Sequence, residues 1–218
     1  SYLYLIKSIN ACFLSFYIRV LMGKIIAFVS QKGGVAKSTL ARGLATEAAK
    51  SDLNVKIADL DTQQGTFIEW HRIRLNNGHK SVGSVEVFAK AKKAINEADN
   101  YDLLVIDGAA RASSATLEIA SVADLIILPT CASRDDLIPS IRLAHELQKK
   151  GTPNKDIALA LTRVSTQAEI EDAKEFIQQS GYQVLDGALY EKPAYRQAQN
   201  EGLSITETRY KTLNKKAD

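Results

Sequence analysis

Cysteine is almost absent from this sequence. Cys12 and Cys131 lie far apart and belong to no C-x-x-C or Cys/His cluster, which argues against a zinc site or a disulfide framework. A reducing, cytoplasmic setting is the resulting expectation. Proline is scarce as well: with four prolines, 45% hydrophobic and 24% charged residues, the composition leaves little room for intrinsic disorder. Neither sign of charge dominates, since 28 Lys and Arg against 25 Asp and Glu leave +3, an excess that permits a nucleic-acid partner without requiring one. Internal repeats and low-complexity linkers are missing, and 218 residues suffice for one sizeable core but not for two full domains.

Long apolar runs are also missing. The most apolar stretch, residues 1–21, is broken by Lys7 and Arg19 well short of the ~20 residues that a spanning helix needs. Its order of charge and apolar run is wrong for a signal peptide, while an amphipathic surface anchor stays open. Met22-Gly23-Lys24 reads as a natural start just before a strand. Residues 1–21 are therefore read as an extension of unassigned status, and 22–218 as a single domain.

What is present, from Lys24 onward, is an alternation of short β-branched runs with longer stretches of helical periodicity. That pattern predicts an α/β fold, a doubly wound, mostly parallel sheet with helices on both faces. Strands are expected at Ile25 to Val29, Val55 to Asp59, Val85 to Phe88, Leu103 to Asp107, Leu125 to Leu128, Ile157 to Leu161 and Val184 to Leu189. Several are apolar throughout, as strands buried on both faces must be. Helices are expected at Lys37 to Lys50, Ala89 to Asn100, Ser113 to Val122, Asp136 to Lys150 and Gln167 to Ser180, the last capped by Thr166 or Ser165. Asn76 to Ser84 reads as an exposed loop.

The strongest local signal is Ser30-Gln31-Lys32-Gly33-Gly34-Val35-Ala36-Lys37-Ser38-Thr39, which follows one strand and opens one helix. Consecutive amides at such a turn form an anion cradle, glycines let the backbone approach phosphates, and the helix N-terminus adds favourable partial charge. Lys37 is placed to hold the β- and γ-phosphates of ATP, and the Ser38 hydroxyl to ligate the Mg2+ that bridges them. A glycine-rich turn without function is the plain alternative; the flanking strand and helix argue against it.

Tyr101-Asp102-Leu103-Leu104-Val105-Ile106-Asp107 is an apolar strand ending in an acid, the form in which a carboxylate holds magnesium through water, and Asp107 is the candidate. Ala58-Asp59-Leu60-Asp61-Thr62-Gln63 places Asp59 and Asp61 on one side of an extended chain. Taken alone, a D-x-D at a strand end is more often a solvated turn than a catalytic pair.

Lys32-Gly33-Gly34-Val35-Ala36-Lys37-Ser38 resembles the KGGxxK[ST] loop of the ParA/MinD family of deviant Walker P-loop ATPases, and most nearly the short ParA-type members. The resemblance runs from Lys24 to about Glu207. It implies that Lys32 reaches across a dimer interface to the partner's nucleotide, while Lys37 acts within its own subunit. It implies further that residues Lys32 to Thr39 bind nucleotide, that Asp61, in a segment similar to the family's DxDPQ, places the attacking water, and that Asp59 supports the metal's water shell beside Ser38 and Asp107. Trp70 stands where such sequences commonly carry a tryptophan. Ala36 occupies the position of a usual glycine; if positive φ is required there, its Cβ is costly, though a methyl is the smallest intrusion and binding is expected to survive. Thr62 and Gly108-Ala109-Ala110-Arg111 also depart from the family pattern.

The family implies slow, adaptor-stimulated ATP hydrolysis, an ATP-dependent homodimer and non-specific, phosphate-directed DNA binding in the service of partitioning a plasmid, chromosome or other cargo, with the ATP form on the nucleoid. Candidate DNA contacts are Lys90, Lys92, Lys93, Lys149, Lys150, Arg196, Arg209, Lys211, Lys215 and Lys216. A membrane-bound relative of the MinD kind would want a terminal amphipathic helix, for which Arg209 to Asp218 is too polar. A metabolic or electron-transfer relative on the same fold would need spaced cysteines or further polar groups converging on the γ-phosphate, and neither is found; His71, His79 and His145 read as ordinary surface residues.

Overall fold

A computed structural model of the chain describes residues 23–63, 65–109 and 114–217. The reading of residues 1–21 lies outside this range, as does most of the turn after Asp107. Seven strands, β1 (Lys24–Phe28), β2 (Val55–Asp59), β3 (Ser84–Val87), β4 (Leu103–Asp107), β5 (Leu125–Thr130), β6 (Ile157–Val164) and β7 (Gln183–Tyr190), form one sheet in the order β3-β2-β4-β1-β5-β6-β7. Every neighbouring pair is parallel. Parallel neighbours need long crossovers, and the helices supply them: α1 (Lys37–Lys50), α2 (Thr66–Asn76), α3 (Ala91–Ile95), α4 (Ser114–Ala120), α5 (Arg134–Lys149) and α6 (Gln167–Gln179), followed by α7 (Pro193–Asn200) and α8 (Lys211–Ala217).

Side-chain alternation divides the core into two layers. Phe28, Leu103, Val105, Leu125, Ile127, Ala158 and Ala160 face α1 and α2, meeting Ala41, Ala45, Phe67 and Trp70. On the opposite face, Ile25, Ala27, Leu104 and Ile106 meet α3 and α4, while Ile126, Leu128, Leu159 and Leu161 meet α5 and α6. β2, β4 and β5 are buried at every position, which is why their sequences do not alternate with polar residues.

The strands begin and end close to where the sequence puts them; the helices differ more. The helix expected over Ala89 to Asn100 breaks into α3 and a 3-10 turn, Ala98–Asn100. Asn96, Asp99 and Asn100 are weak helix formers, and the break lets Glu97 pair with the buried Lys56 at 2.9 Å. The helix expected from Asp136 starts at Arg134. α2, α7 and α8 are not among the expected helices. The α2 residues Thr66, Phe67, Ile68 and Trp70 have modest helix propensity, yet Phe67, Trp70 and Arg74 recur as one buried stripe that pins the segment to α1 and the sheet. Thr166 caps α6 as expected: its side chain accepts from Glu169 N at 3.2 Å, and Glu169 returns the contact to Ser165 N at 2.7 Å.

Order along the sheet also fixes the site. The chain winds outward through β2 and β3 and returns to place β4 between β1 and β2 before continuing to β5 on the other side. Register sets Asp59 beside Asp107, and Asp107 beside Phe28, the last residue of β1. The glycine-rich loop and two of the acids therefore emerge together at the carboxyl ends of three adjacent strands, at the switch point where open α/β sheets bind ligands.

Candidate nucleotide site

The loop from Ser30 to Ala36 turns from β1 into α1 around the N-terminal amides of that helix, with Gly34 at φ 77° and Ala36 at φ 64°. Ala36 thus sits in the left-handed conformation that its Cβ disfavours by roughly 1–2 kcal/mol. Its methyl packs against the small cluster of Leu189, Tyr195 and Ile205, which offsets part of that strain. Ala36→Gly is accordingly expected to leave stability unchanged or raise it by up to about 1 kcal/mol. Ala36→Val, β-branched at the same φ, is expected to lower it by about 2 kcal/mol or more. Thermal melts of the free proteins check both.

Lys37, the first residue of α1, is 8% exposed. Burial pulls its pKa down, opposed by the charges of Asp107 and Asp61. Asp107 is 2% exposed, and burial together with the Asp59 charge pushes its carboxyl up to about 7, against the Ser38 hydroxyl bond, Lys37 and Arg42. Its Oδ1 is buried and accepts no hydrogen bond among the described residues. A buried carboxylate oxygen left unpaired is costly unless something else satisfies it. The Ser38 hydroxyl and this oxygen are hard donors set beside a phosphate cradle, so the residues fit a magnesium ion.

Asp59 anchors the backbone on both sides of the loop after β2. It is fully buried, and its two oxygens accept from Asp61 N at 2.9 Å and Phe67 N at 3.0 Å. Both contacts pin the loop that carries Asp61, and the second closes the first turn of α2. The geometry therefore makes Asp59 a positioning group for Asp61. Asp61 itself lines the cleft opposite Lys37.

Lys32 does not line that cleft. Its side chain is 42% exposed, and its ammonium donates to Asp136 Oδ1 at 2.9 Å and to the Asp135 carbonyl at 2.5 Å, at the start of α5. Val35 is buried under the loop, and the Thr39 hydroxyl turns to Gln199 Oε1 at 3.3 Å.

The cleft has a volume of 440 Å³, within the range of small-molecule sites. Gly33, Gly34, Lys37, Ser38 and Asp61 form its phosphate end; Tyr190, Lys192, Tyr195 and Gln199 line the other. That second wall comes from the end of β7, the residues after it and α7, a part of the chain for which the sequence suggests no nucleotide contact. Arg42 was also missed. One turn beyond Lys37, it donates to Gln199 Oε1 at 3.0 Å and to the Thr66 carbonyl at 2.5 Å, with its guanidinium 5.2 Å from the Trp70 ring centre. It ties α1 to both α2 and α7. A charged residue beside the buried alanine stripe Ala41, Ala45, Ala48 was the available signal.

Away from the cleft, every basic candidate from Lys90 to Lys216 is exposed, in separate groups around α3, the end of α5, and α7 to α8. His145 bonds the Tyr182 hydroxyl and His71 meets Ser81. No helix among the described residues is long and apolar enough to cross a membrane.

Known proteins share this fold. Maintenance of carboxysome distribution protein A of Gloeobacter kilaueensis is 28% identical over 195 residues, 86% of either chain. The cell division ATPase MinD of Pyrococcus furiosus superposes with a TM-score of 0.71 at 20% identity, covering 90% of this chain and 95% of that one. MinD of Pyrococcus horikoshii complexed with Mg-ADP gives a TM-score of 0.68 at 20% identity, over 89% and 92%. Residues 26–205 match the model of the CobQ/CobB/MinD/ParA nucleotide binding domain. With most of its length matched and the KGGxxK[ST] loop seated at the end of β1, the chain belongs to the CobQ/CobB/MinD/ParA nucleotide-binding family.

Proposed function

We propose that the chain is a slow Mg-ATP hydrolase whose ATP-bound form pairs with a second copy, binds duplex DNA without sequence preference and thereby positions a cargo. The observation that carries the reading is the convergence of Lys37, Ser38, Asp61 and Asp107 at the ends of β1, β2 and β4, beside a cradle of backbone amides. Lys37 grips the β- and γ-phosphates. Asp61, held on its loop by Asp59, orients the attacking water and accepts its hydrogen bond. Ser38 and Asp107 would hold a magnesium ion, which would supply charge neutralisation on the transferring phosphate.

Lys32 suits the pairing step because it stands outside its own cleft. Its ion pair with Asp136 is half exposed, and such pairs contribute ~1 kcal/mol or less, so exchange for a phosphate on a second copy is not impeded. DNA binding is drawn from the exposed basic groups, and contact through phosphates makes it salt-sensitive. An adaptor protein is expected to stimulate hydrolysis, since product release by a switch must be timed from outside. The named relatives serve carboxysome distribution and cell division, so the cargo of this chain is open to either kind and to plasmid or chromosomal DNA.

The test uses Asp61→Ala, which should bind Mg-ATP and fail to hydrolyse it. Light scattering is expected to give a dimer with Mg-ATP and a monomer with Mg-ADP, and the dimer should retain non-specific duplex DNA at low salt and release it at high salt. A monomer in both nucleotides removes the switch. A dimer indifferent to DNA leaves the hydrolase and redirects the search for its surface partner.

A further inference from the structure

The phosphate loop owes its shape to side chains outside it. Peptide bonds in the described residues are trans, so each carbonyl points away from the N–H of the same peptide unit. Fixing a carbonyl on the outer side of the turn therefore aims the next residue's amide inward. Three loop carbonyls are fixed in this way. Ser30 Oγ donates to the Lys32 carbonyl at 2.6 Å, Arg163 Nη1 donates to the Gly34 carbonyl at 3.0 Å, and Thr162 Oγ1 donates to the Val35 carbonyl at 3.2 Å. The amides so aimed belong to Gly33, Val35 and Ala36.

Two of these donors, Thr162 and Arg163, are consecutive on β6. Successive residues of a regular strand point to opposite faces and do not reach the same loop. Here they do, because the β6–β7 register slips between Thr162 and Val164 and Arg163 takes φ 55°. A long side chain in the left-handed region is a strained choice where glycine or asparagine would sit easily, and such strain is retained where the surroundings use it. Thr162 is fully buried, its hydroxyl shared between the Val35 and Thr130 carbonyls. Arg163 is in turn braced by Glu191 at 2.7 Å, which also receives Arg196 at 2.8 Å. Arg163, Glu191 and Arg196 all line the cleft.

We propose that Thr162 and Arg163 are positioning residues that orient the phosphate-binding amides of Val35 and Ala36, with the strained bulge at Arg163 maintained for that purpose. The inference rests on the nucleotide-binding reading of the loop.

Titration of the full chain with Mg-ATP and, separately, with inorganic pyrophosphate tests it. Pyrophosphate meets the cradle and no base pocket. Thr162→Val keeps the side-chain shape and removes the donor; it is expected to weaken both probes about tenfold, as the loss of one charge-assisted hydrogen bond would. Thr162→Ser should restore both. Arg163→Gly removes the side chain and relaxes the backbone, so affinity for both probes should fall several-fold while the melting temperature of the free protein holds or rises. A residue that merely supported the fold would lower both together. Should Thr162→Val fail to fold, Arg163→Gly decides the matter alone. Wild-type affinities in the variants, or loss of ATP with pyrophosphate unchanged, overturn the positioning role. A wild-type chain that binds neither probe overturns the nucleotide reading itself.

Discussion

Lys37→Met is expected to abolish measurable Mg-ATP binding, by a factor of about a hundred or more, without lowering the stability of the free protein. The first half follows from the loss of a buried ammonium poised over the phosphate cradle, where charge-assisted contacts are each worth roughly 1.5–3 kcal/mol. The second half follows from the direction of its pKa. Burial, the largest influence on Lys37, pulls the ammonium below its ordinary value despite the attraction of Asp107 and Asp61. A cation so lowered opposes folding at every pH where it is charged in both states, and that opposition fades only as pH rises past the folded pKa. Methionine keeps the length of the side chain and discards the charge. Asp107, freed of Lys37, holds its own proton more readily, so no isolated carboxylate is left buried. Calorimetric titration paired with thermal melts separates the two effects: binding within tenfold of wild type would strip Lys37 of its phosphate role, and a melt lowered by many degrees would make it a structural residue.

Much of this arrangement is legible in the sequence. Apolar runs such as Leu104-Val105-Ile106 can be satisfied only between two layers of helices, which fixes the strands, although β6 runs on from its expected end at Leu161 to Val164. The loop was legible because glycines and lysines at fixed spacing between a strand and a helix have few other uses. Ala36 even announced its strain, as a substitute for the glycine the backbone calls for.

What sequence could not show was contact at long separation. Nothing local marks Thr162 and Arg163 as partners of Val35 and Gly34, some 130 residues earlier in the chain. Arg163 in the left-handed conformation within β6 has no signature, since the usual glycine or asparagine is absent. Asp59 was legible as an acid at a strand end, but its commitment to the Asp61 and Phe67 amides depends on α2, whose aromatic and β-branched residues hide a helix from propensity. Lys32 carried a family role, and the acid that holds it, Asp136, was visible only once α5 was folded beside the loop.

Asp107→Asn is expected to stabilise the free protein increasingly as pH rises, and to forfeit the stabilisation that Mg-ATP gives the wild type. The wild-type carboxyl is lifted from 3.8 to about 7, first by burial and then by Asp59. Between those values the folded chain holds a proton that the unfolded chain has released. Stability of the free protein therefore falls as pH rises through this window, whereas below about pH 4 both states are protonated and the group contributes nothing. The full penalty above pH 7 is at most about 4 kcal/mol, and asparagine, which cannot ionise, escapes it. Its advantage over wild type should grow by about 2–3 kcal/mol from pH 5 to pH 8, several degrees in melting temperature for a chain of this size. Adding Mg-ATP at pH 8 should invert the order, because the ionised Asp107 that burdens the free fold is the form a cation requires. Melts at the two pH values, with and without Mg-ATP, read all four corners. An asparagine advantage that does not change with pH would mean that Asp107 is ionised throughout and that the unpaired Oδ1 is satisfied in the free protein. An advantage that survives Mg-ATP would remove Asp107 from the metal site.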